Sequence, residues 1–456
     1  MTSVVSAAPS MFDRLRTRVL TPVRHPLGLV VLGLLWALIA WLRLTPAGRD
    51  TIWAEDGHQF LEQAIQFGPI PAIALPYEGY MHLLPHTIAG IASLFPIAWW
   101  AQVITIECCL ISAAVAVIVY VVSAQFPLAN WARLLLASVT VLTPTLVEEV
   151  LGDGANMYTF ALWGGIWLFL VRARTWRGSI AAGVLVFVFA STAVQFGAAL
   201  PLLLLRPNRK VIPLVVGYGL GLLVQLYGYT HSVRGSKPSW PPLGTTLDGY
   251  VHQVVLGSWV EAAHTGAVLI VRFGWIFACA LVIPYAIAAF QLVRRTQVER
   301  YWARALGIAL PVASLVFWFA SFDLNNLAFD YANYSPVQMV TLAFTIRYAV
   351  LPAMLLWALL IVAVGWDRPA EQLRTRFWRA ARIGVPVLIV VAMLVNFIGI
   401  GTTSRSRGPE WSTSLSQGEQ QCVGQPASHV VDLATAPGGP WNVSVSCGFL
   451  AAETGR

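Results

Sequence analysis

Apolar segments of bilayer-spanning length recur along the whole chain, and they exclude a water-soluble fold. Eleven can be delimited, at residues 26–44, 97–124, 131–147, 157–171, 179–192, 194–205, 211–229, 266–291, 304–320, 347–365 and 383–400. A helix needs about 20 apolar residues to cross the hydrocarbon core. Helices solve the backbone problem there, because lipid offers no partner to an open N–H or C=O. Only 11% of the 456 residues are charged, against about 25% in a soluble domain. The pattern predicts an all-α polytopic membrane protein with about 11 transmembrane helices. The fifth and sixth segments are short and meet at Ser191-Thr192, so a re-entrant pair, and a count of ten, stays open.

The net charge of +8 is spread over short loops between apolar runs, not gathered into a stripe, which argues against nucleic acid. It reads instead as a topology signal. With the N-terminus in the cytoplasm, twenty of the 29 Lys and Arg residues fall on the inner side, as the positive-inside rule requires. This predicts a multi-pass protein of the cell membrane. Residues 1–25 form a cytoplasmic segment, 26–400 the membrane domain, and 401–456 a small extracytoplasmic tail. The first apolar run is too long for a signal-peptide core and is expected to be retained. Loops 45–96, 230–265 and 321–346 then also lie outside.

Cys108, Cys109 and Cys279 fall in apolar segments, whereas Cys422 and Cys447 lie in the polar tail. On an oxidising side those two predict a disulfide. With Gly, Pro, Ser and alternating Val (Val443, Val445), the tail reads as a small β-rich appendage pinned by that bond. Asn442-Val443-Ser444 matches a glycosylation sequon, a motif that chance often produces.

The first outer loop concentrates the chemistry. Residues 53–86 carry four carboxylates (Glu55, Asp56, Glu62, Glu78) and three histidines (His58, His82, His86) in an otherwise apolar chain. Phe60, Leu61, Ala64, Ile65 and Phe67 recur at helical spacing, which predicts an interfacial amphipathic helix opening at Glu55-Asp56. A second interfacial helix is expected within 80–96, where His82 and His86 share a face if it is helical throughout. A carboxylate at head-group depth is placed to take a proton from an acceptor hydroxyl. Asp56 and Glu55 are therefore the catalytic candidates. Asp56 with His58 is also the candidate for holding a divalent cation such as Mg or Mn, although no fixed ligand spacing is present.

Other loops supply binding candidates. Glu149 and Asn156, in the stretch 148–156, are suited to sugar hydroxyls, as are Tyr80, His82 and His86. Arg347 and Arg272 stand near the outer starts of their segments, where the positive-inside rule depletes cations. A guanidinium there is suited to a donor phosphate. His231, Arg234, Lys237, His252 and His264 flank the loop 230–265 and offer a positive lining for an anionic head group. A phosphate-binding glycine loop, a dinucleotide fingerprint and a nucleophile elbow are all missing from the sequence.

Trp53-Ala54-Glu55-Asp56-Gly57, Tyr77-Glu78-Gly79-Tyr80-Met81-His82-Leu83-Leu84-Pro85, the acidic stretch 148–156, Arg347-Tyr348 with Leu351-Pro352, and the Trp- and Cys-containing tail together resemble the GT-C superfamily of membrane glycosyltransferases, in particular its actinobacterial members. The resemblance covers most of the chain through short motifs. It implies a polyprenyl-phosphate sugar as donor, a glycan, glycolipid or protein hydroxyl as acceptor, and transfer with inversion. It further implies Asp56 as general base and a phosphate-binding arginine matched here to Arg347. A lipid-linked-sugar flippase is the first rival, but it calls for ionisable residues deep in the helices, of which Glu107 is the clearest. A non-catalytic scaffold is the second, and it predicts that Glu55 and Asp56 tolerate neutral replacement.

Overall fold

The computed structural model describes residues 25–454 apart from 174, 206–208, 236–237, 261, 296–299, 326–328, 343–345, 367–375 and 399–402. The cytoplasmic segment predicted for 1–25, save His25, and Lys237 lie outside the described residues.

Among the described residues eight helices are long and apolar enough to cross a membrane. They are Pro26–Arg43, Ile97–Ser123, Asn130–Val147, Arg209–His231, His264–Val293, Tyr301–Asp323, Arg347–Gly365 and Trp378–Ile398. The expected count of eleven is thus not reached. The three remaining apolar segments are helical but short: Met157–Phe169, Trp176–Ala190 and Val194–Leu205. The last is wound in 3-10 turns around Pro201, which cannot donate to a helical ladder. A positive φ of 78° at Gly274 also breaks the helix Ala267–Ala280.

Spans of similar hydropathy differ in how deeply they sit in the bundle. Val350–Gly365 is apolar all round and every one of its residues is buried, as expected for the axis of a bundle. It packs on the helices 300–323, 283–293, 130–142, 157–169 and 376–398. Pro26–Arg43 and Arg376–Ile398 are peripheral instead. Leu27, Val30, Leu34, Ile383, Val387 and Leu394 are exposed on them, an apolar surface that suits lipid. At the end of the first span, buried Arg43 donates to Val141 O (2.7 Å) and Thr143 O (3.1 Å), using the free carbonyls where the helix 130–142 stops.

The loop 45–96 is folded. Thr45 caps the short helix Pro46–Arg49, and a wide π-type turn spans Asp56–Leu61 before Glu62–Phe67. Pro69–Ala72 and Leu83–Ala92 follow. The expected amphipathic helix is therefore two pieces, opened by an over-wide turn of the kind often found at functional sites.

The tail is held by the predicted bond: Cys422 and Cys447 form a disulfide, with Cα atoms 5.5 Å apart. It is not β-rich, however. Helices Trp411–Cys422 and Cys447–Thr454 flank a single antiparallel pair, Val430–Ala434 with Asn442–Ser446. Nor is it an appendage. Trp411 stacks on Trp100 (centroids 5.9 Å) and donates its indole N–H to Ile97 O at 2.7 Å. Ala436 pairs with the backbone of the first loop, through Ala54 N to Ala436 O (2.6 Å) and Ala436 N to Ile52 O (2.9 Å). Gly57 makes that approach possible, since a Cβ there would lie 2.7 Å from Thr435 Cγ2 and 2.9 Å from Val443 Cγ2.

Candidate functional site

The first loop, the stretch 148–156, the start of the helix 347–365 and the tail converge on one cavity of about 720 Å³. Glu55, Glu78, Glu149, Arg234 and Arg347 bring charge to its wall, and Trp53, Phe60, Tyr77, Tyr80, Tyr158, Tyr348 and Trp441 bring aromatic rings. Val194, Ala198, Phe317 and Ala320, from two apolar helices, and Leu324, just past the end of the second, supply a further part. The lining is therefore amphiphilic: loops and tail give most of its charge and aromatic rings, and the helices add the apolar residues together with Tyr158, Gln195 and Ser321.

Adjacent Glu55 and Asp56 take different roles. Asp56 is buried and does not line the cavity. Its Oδ2 accepts from Gly154 N (2.9 Å) and its Oδ1 from Ala155 N (2.7 Å). Gly154 must lack a side chain, because a Cβ would sit 2.8 Å from Asp56 Oδ1. Burial pushes the Asp56 carboxyl up to about 6, opposed by the Gly154 hydrogen bond, by Asp153 and by the charge of Arg405. Asp153 is driven well above the carboxylate range by burial and by the charge of Asp56. The two carboxyls share a side-chain hydrogen bond, which requires one proton between them. This pair organises the 148–156 loop and is turned away from the space a substrate could occupy.

Arg405, which has no counterpart among the sequence candidates, closes that network. Buried, it donates to Gly48 O (2.7 Å), Thr51 O (2.9 Å), Thr105 Oγ1 (2.8 Å) and Gly152 O. Four acceptors on three separate segments match the fixed fork of a guanidinium. Position alone made Arg405 look like one more solvated residue of a polar tail.

Glu55 faces the cavity. Its Oε1 lies 3.4 Å from Arg347 Nη1, and its Oε2 is buried with no hydrogen bond. Arg347 is further anchored through its backbone N–H, which donates to Glu149 Oε1 at 3.0 Å. Burial raises the Glu149 carboxyl above its usual range, and the Arg347 charge resists this. Asn156 donates to Glu149 O (2.9 Å) and Asp153 Oδ2 (2.7 Å), which leaves its Oδ1 unpartnered.

His82 lies among Tyr80 (4.1 Å), Phe60 (5.5 Å) and Tyr77 (5.7 Å), measured between ring centroids. It is 5% exposed, and neither ring nitrogen has a hydrogen bond. Burial lowers it to about 3, so the imidazole is neutral at neutral pH. His86 stands behind Phe60 and outside the lining. Its Nε2 is 2.8 Å from Gln63 Oε1 and its Nδ1 is 3.0 Å from His82 O. That is a structural role.

The remaining candidates are not brought to the cavity. Arg272 is exposed, 5.5 Å from the Phe273 ring, and His264 is exposed outside the lining. His231 stacks on Tyr227, and His252 is buried beside Tyr331. Of the cations flanking the loop 230–265, Arg234 alone among the described residues reaches the wall. His58 pairs with Glu62 at 3.9 Å and meets Trp441 edge-on at 5.9 Å. Asp56 is turned to Gly154 and Ala155 and His58 to Glu62 and Trp441, so the expected pairing of Asp56 with His58 around a cation has no geometric support. Among the described residues no group of three or more His, Cys, Asp or Glu is arranged to hold a metal.

Glu78, Tyr77, Tyr158, Gln195 and Trp441 line the cavity without having been selected as site residues. Glu78 is in a left-handed conformation (φ 52°), its Oε2 accepting from Gly235 N at 2.7 Å. That strained, acidic Tyr-Glu-Gly-Tyr turn was the available signal. No known protein-family model matches the chain, and no curated protein shows significant similarity to it.

Proposed function

We propose that this protein is a membrane glycosyltransferase of the GT-C type, moving a sugar from a polyprenyl-phosphate donor to a hydroxyl of a cell-envelope glycan or glycolipid at the outer face of the cell membrane. One observation carries the reading. Glu55 Oε2, both nitrogens of His82, Asn156 Oδ1, Tyr158 OH and Gln195 Oε1 are buried without hydrogen bonds, and all six belong to residues lining one cavity. Buried polar atoms are normally satisfied. Such a concentration of free capacity, set among aromatic rings and a Glu–Arg pair, suits a polyhydroxylated ligand. The apolar wall from the helices 194–205 and 300–323 suits that ligand's lipid chain.

In this reading the donor's sugar occupies the polar part, its phosphate beside Arg347. The acceptor hydroxyl approaches Glu55 Oε2, which takes its proton as general base. The acceptor oxygen bonds to the anomeric carbon while the bond from that carbon to the phosphate oxygen breaks. The electron pair leaves with the polyprenyl phosphate, whose charge Arg347 stabilises. A single displacement inverts the anomeric configuration. Glu55 thus takes the role the resemblance assigns to Asp56, because Asp56 is spent on holding a loop.

The test is incubation of purified protein with radiolabelled polyprenyl-phosphate sugars, looking for released lipid phosphate and a labelled glycoside. No release from any donor, combined with movement of lipid-linked sugar across vesicle membranes, would replace the transferase reading with a flippase.

A further inference from the structure

The tail contributes residues to the cavity wall, and their position suggests which substrate they meet. Trp441 and Pro437 line the cavity from the loop 435–441, which joins the two strands of the tail. That loop is built into place. Ala436 is hydrogen-bonded on both sides to the backbone of Ile52 and Ala54, one residue from Glu55. Trp53, Ala54 and Ala436 form one small buried cluster against which Trp441 packs. Gly57 and Gly408 both admit it by lacking a Cβ, which at Gly408 would lie 2.3 Å from Ala436 Cβ. Thr435 N donates to Trp441 O at 3.0 Å, closing the loop on itself. The disulfide Cys422–Cys447 ties the start of the helix Cys447–Thr454, directly after the strand that follows Trp441, to the end of the helix 411–422.

We infer that Trp441 is the stacking platform for the acceptor sugar, which makes the tail a specificity-determining part of the site. The inference rests on the transferase reading above. The apolar wall comes from helices of the bundle, so a lipid-borne donor is accommodated there. The tail is polar and carries a half-buried indole on the same cavity wall as Glu55, packed on Trp53 and Ala54. Sugar rings present apolar C–H faces that large aromatic side chains cover, and an indole offers the largest such face. Trp441 then sets the acceptor ring against the cavity wall, directing one hydroxyl toward Glu55 Oε2.

The experiment uses full-length protein, the polyprenyl-phosphate sugar found active, and a panel of short-chain alkyl glycosides as acceptors. For Trp441→Ala the acceptor KM is expected to rise about tenfold, while the donor KM moves less than about twofold. Trp441→Phe keeps a ring and should stay within about threefold of wild type, whereas Trp441→Leu, of similar bulk, should not. The Phe and Leu pair carries the comparison if the alanine variant fails to fold. An unchanged acceptor KM in Trp441→Ala or Trp441→Leu overturns the inference and leaves the transferase reading standing. So does an equal rise in both KM values, which would mean the tail only shapes the cavity. If wild-type protein releases no lipid phosphate from any donor, the transferase reading fails and this inference fails with it.

Discussion

Glu55 and Arg347 meet at 3.4 Å although they stand 292 residues apart in the chain. The pair joins the first loop to the start of the fully buried helix at the bundle axis. One carboxylate oxygen is engaged and the other has no hydrogen bond, so the side chain is held in position with one acceptor unused, as the base role proposed above requires.

Replacing Glu55 by Gln keeps the shape and a hydrogen-bond acceptor for Arg347 but removes the basic oxygen. Transfer is expected to fall by about 10² to 10⁴, with little change in donor KM. Steady-state release of lipid phosphate measures it. A variant within tenfold of wild type would remove Glu55 from the base role.

Asp56→Asn should behave differently. An amide cannot accept with both side-chain atoms, so one of the Gly154 and Ala155 N–H groups loses its partner. An unsatisfied buried donor costs about 1–3 kcal/mol, and that loss should appear in thermal unfolding of the purified protein. Activity should drop less than in Glu55→Gln, since Asp56 acts by placing the 148–156 loop. Full stability together with abolished turnover would restore Asp56 as the reacting carboxylate.

The contrast between these neighbours shows what sequence reading could reach. Glu55, Asp56, Glu149 and Asn156 were found by polar density in an apolar chain and Arg347 as a cation on the side where cations are depleted, and the cavity or its support gathers all five. Which of two consecutive carboxylates faces inward depends on the π-type turn at 56–61 and on Gly154 leaving room for Asp56, and neither has a sequence signature. Arg272 and His264 were selected for being cationic or titratable near an outer loop, yet helix rotation and loop path carry them elsewhere. Trp441 and Arg405 were missed because a tail of Gly, Pro and Ser reads as solvated until its docking on Ile52, Ala54 and Asp50 is seen. Long apolar runs were legible because lipid imposes one solution on them. Shorter ones such as 157–169 were not, since burial within protein demands the same composition.

On acidification the two buried histidines of the first loop, His82 and His86, should each subtract stability. Burial lowers His82 from 6.5 to about 3 and His86 from 6.5 to about 4. Below pH 6.5 the unfolded chain takes up protons that the folded chain refuses, so stability falls from 6.5 down toward those values. The buried carboxyls oppose this: Asp56, raised from 3.8 to about 6, and Asp153 and Glu149, raised by the same burial, favour the folded form as pH drops. His82→Phe preserves packing against Tyr80, Phe60 and Tyr77 and removes one refused proton. Its unfolding temperature should therefore rise relative to that of wild type as pH falls below 6.5. Parallel profiles would show that His82 is not held neutral.

Arg405 provides the sharpest test of whether the tail and the membrane domain form one structure. Its guanidinium joins Gly48 and Thr51 of the first loop, Thr105 of the second span and Gly152 of the acidic stretch. It is also the positive charge that offsets the buried Asp56–Asp153 pair. Arg405→Ala removes four hydrogen bonds and leaves a buried negative charge uncompensated, a loss of about 3–5 kcal/mol, which is a large share of the stability of most domains. Arg405→Lys keeps the charge but offers a single ammonium in place of a planar fork, so it should recover only part of the loss. Limited proteolysis reads the outcome. Cleavage within 401–430 should accelerate in the order wild type, Lys, Ala, and transfer should fall in the same order, because the wall carrying Trp441 and the loop carrying Glu55 share this anchor. If the tail stays protected in Arg405→Ala, the contacts of Trp411 and Ala436 are sufficient to dock it, and Arg405 serves the acidic pair alone.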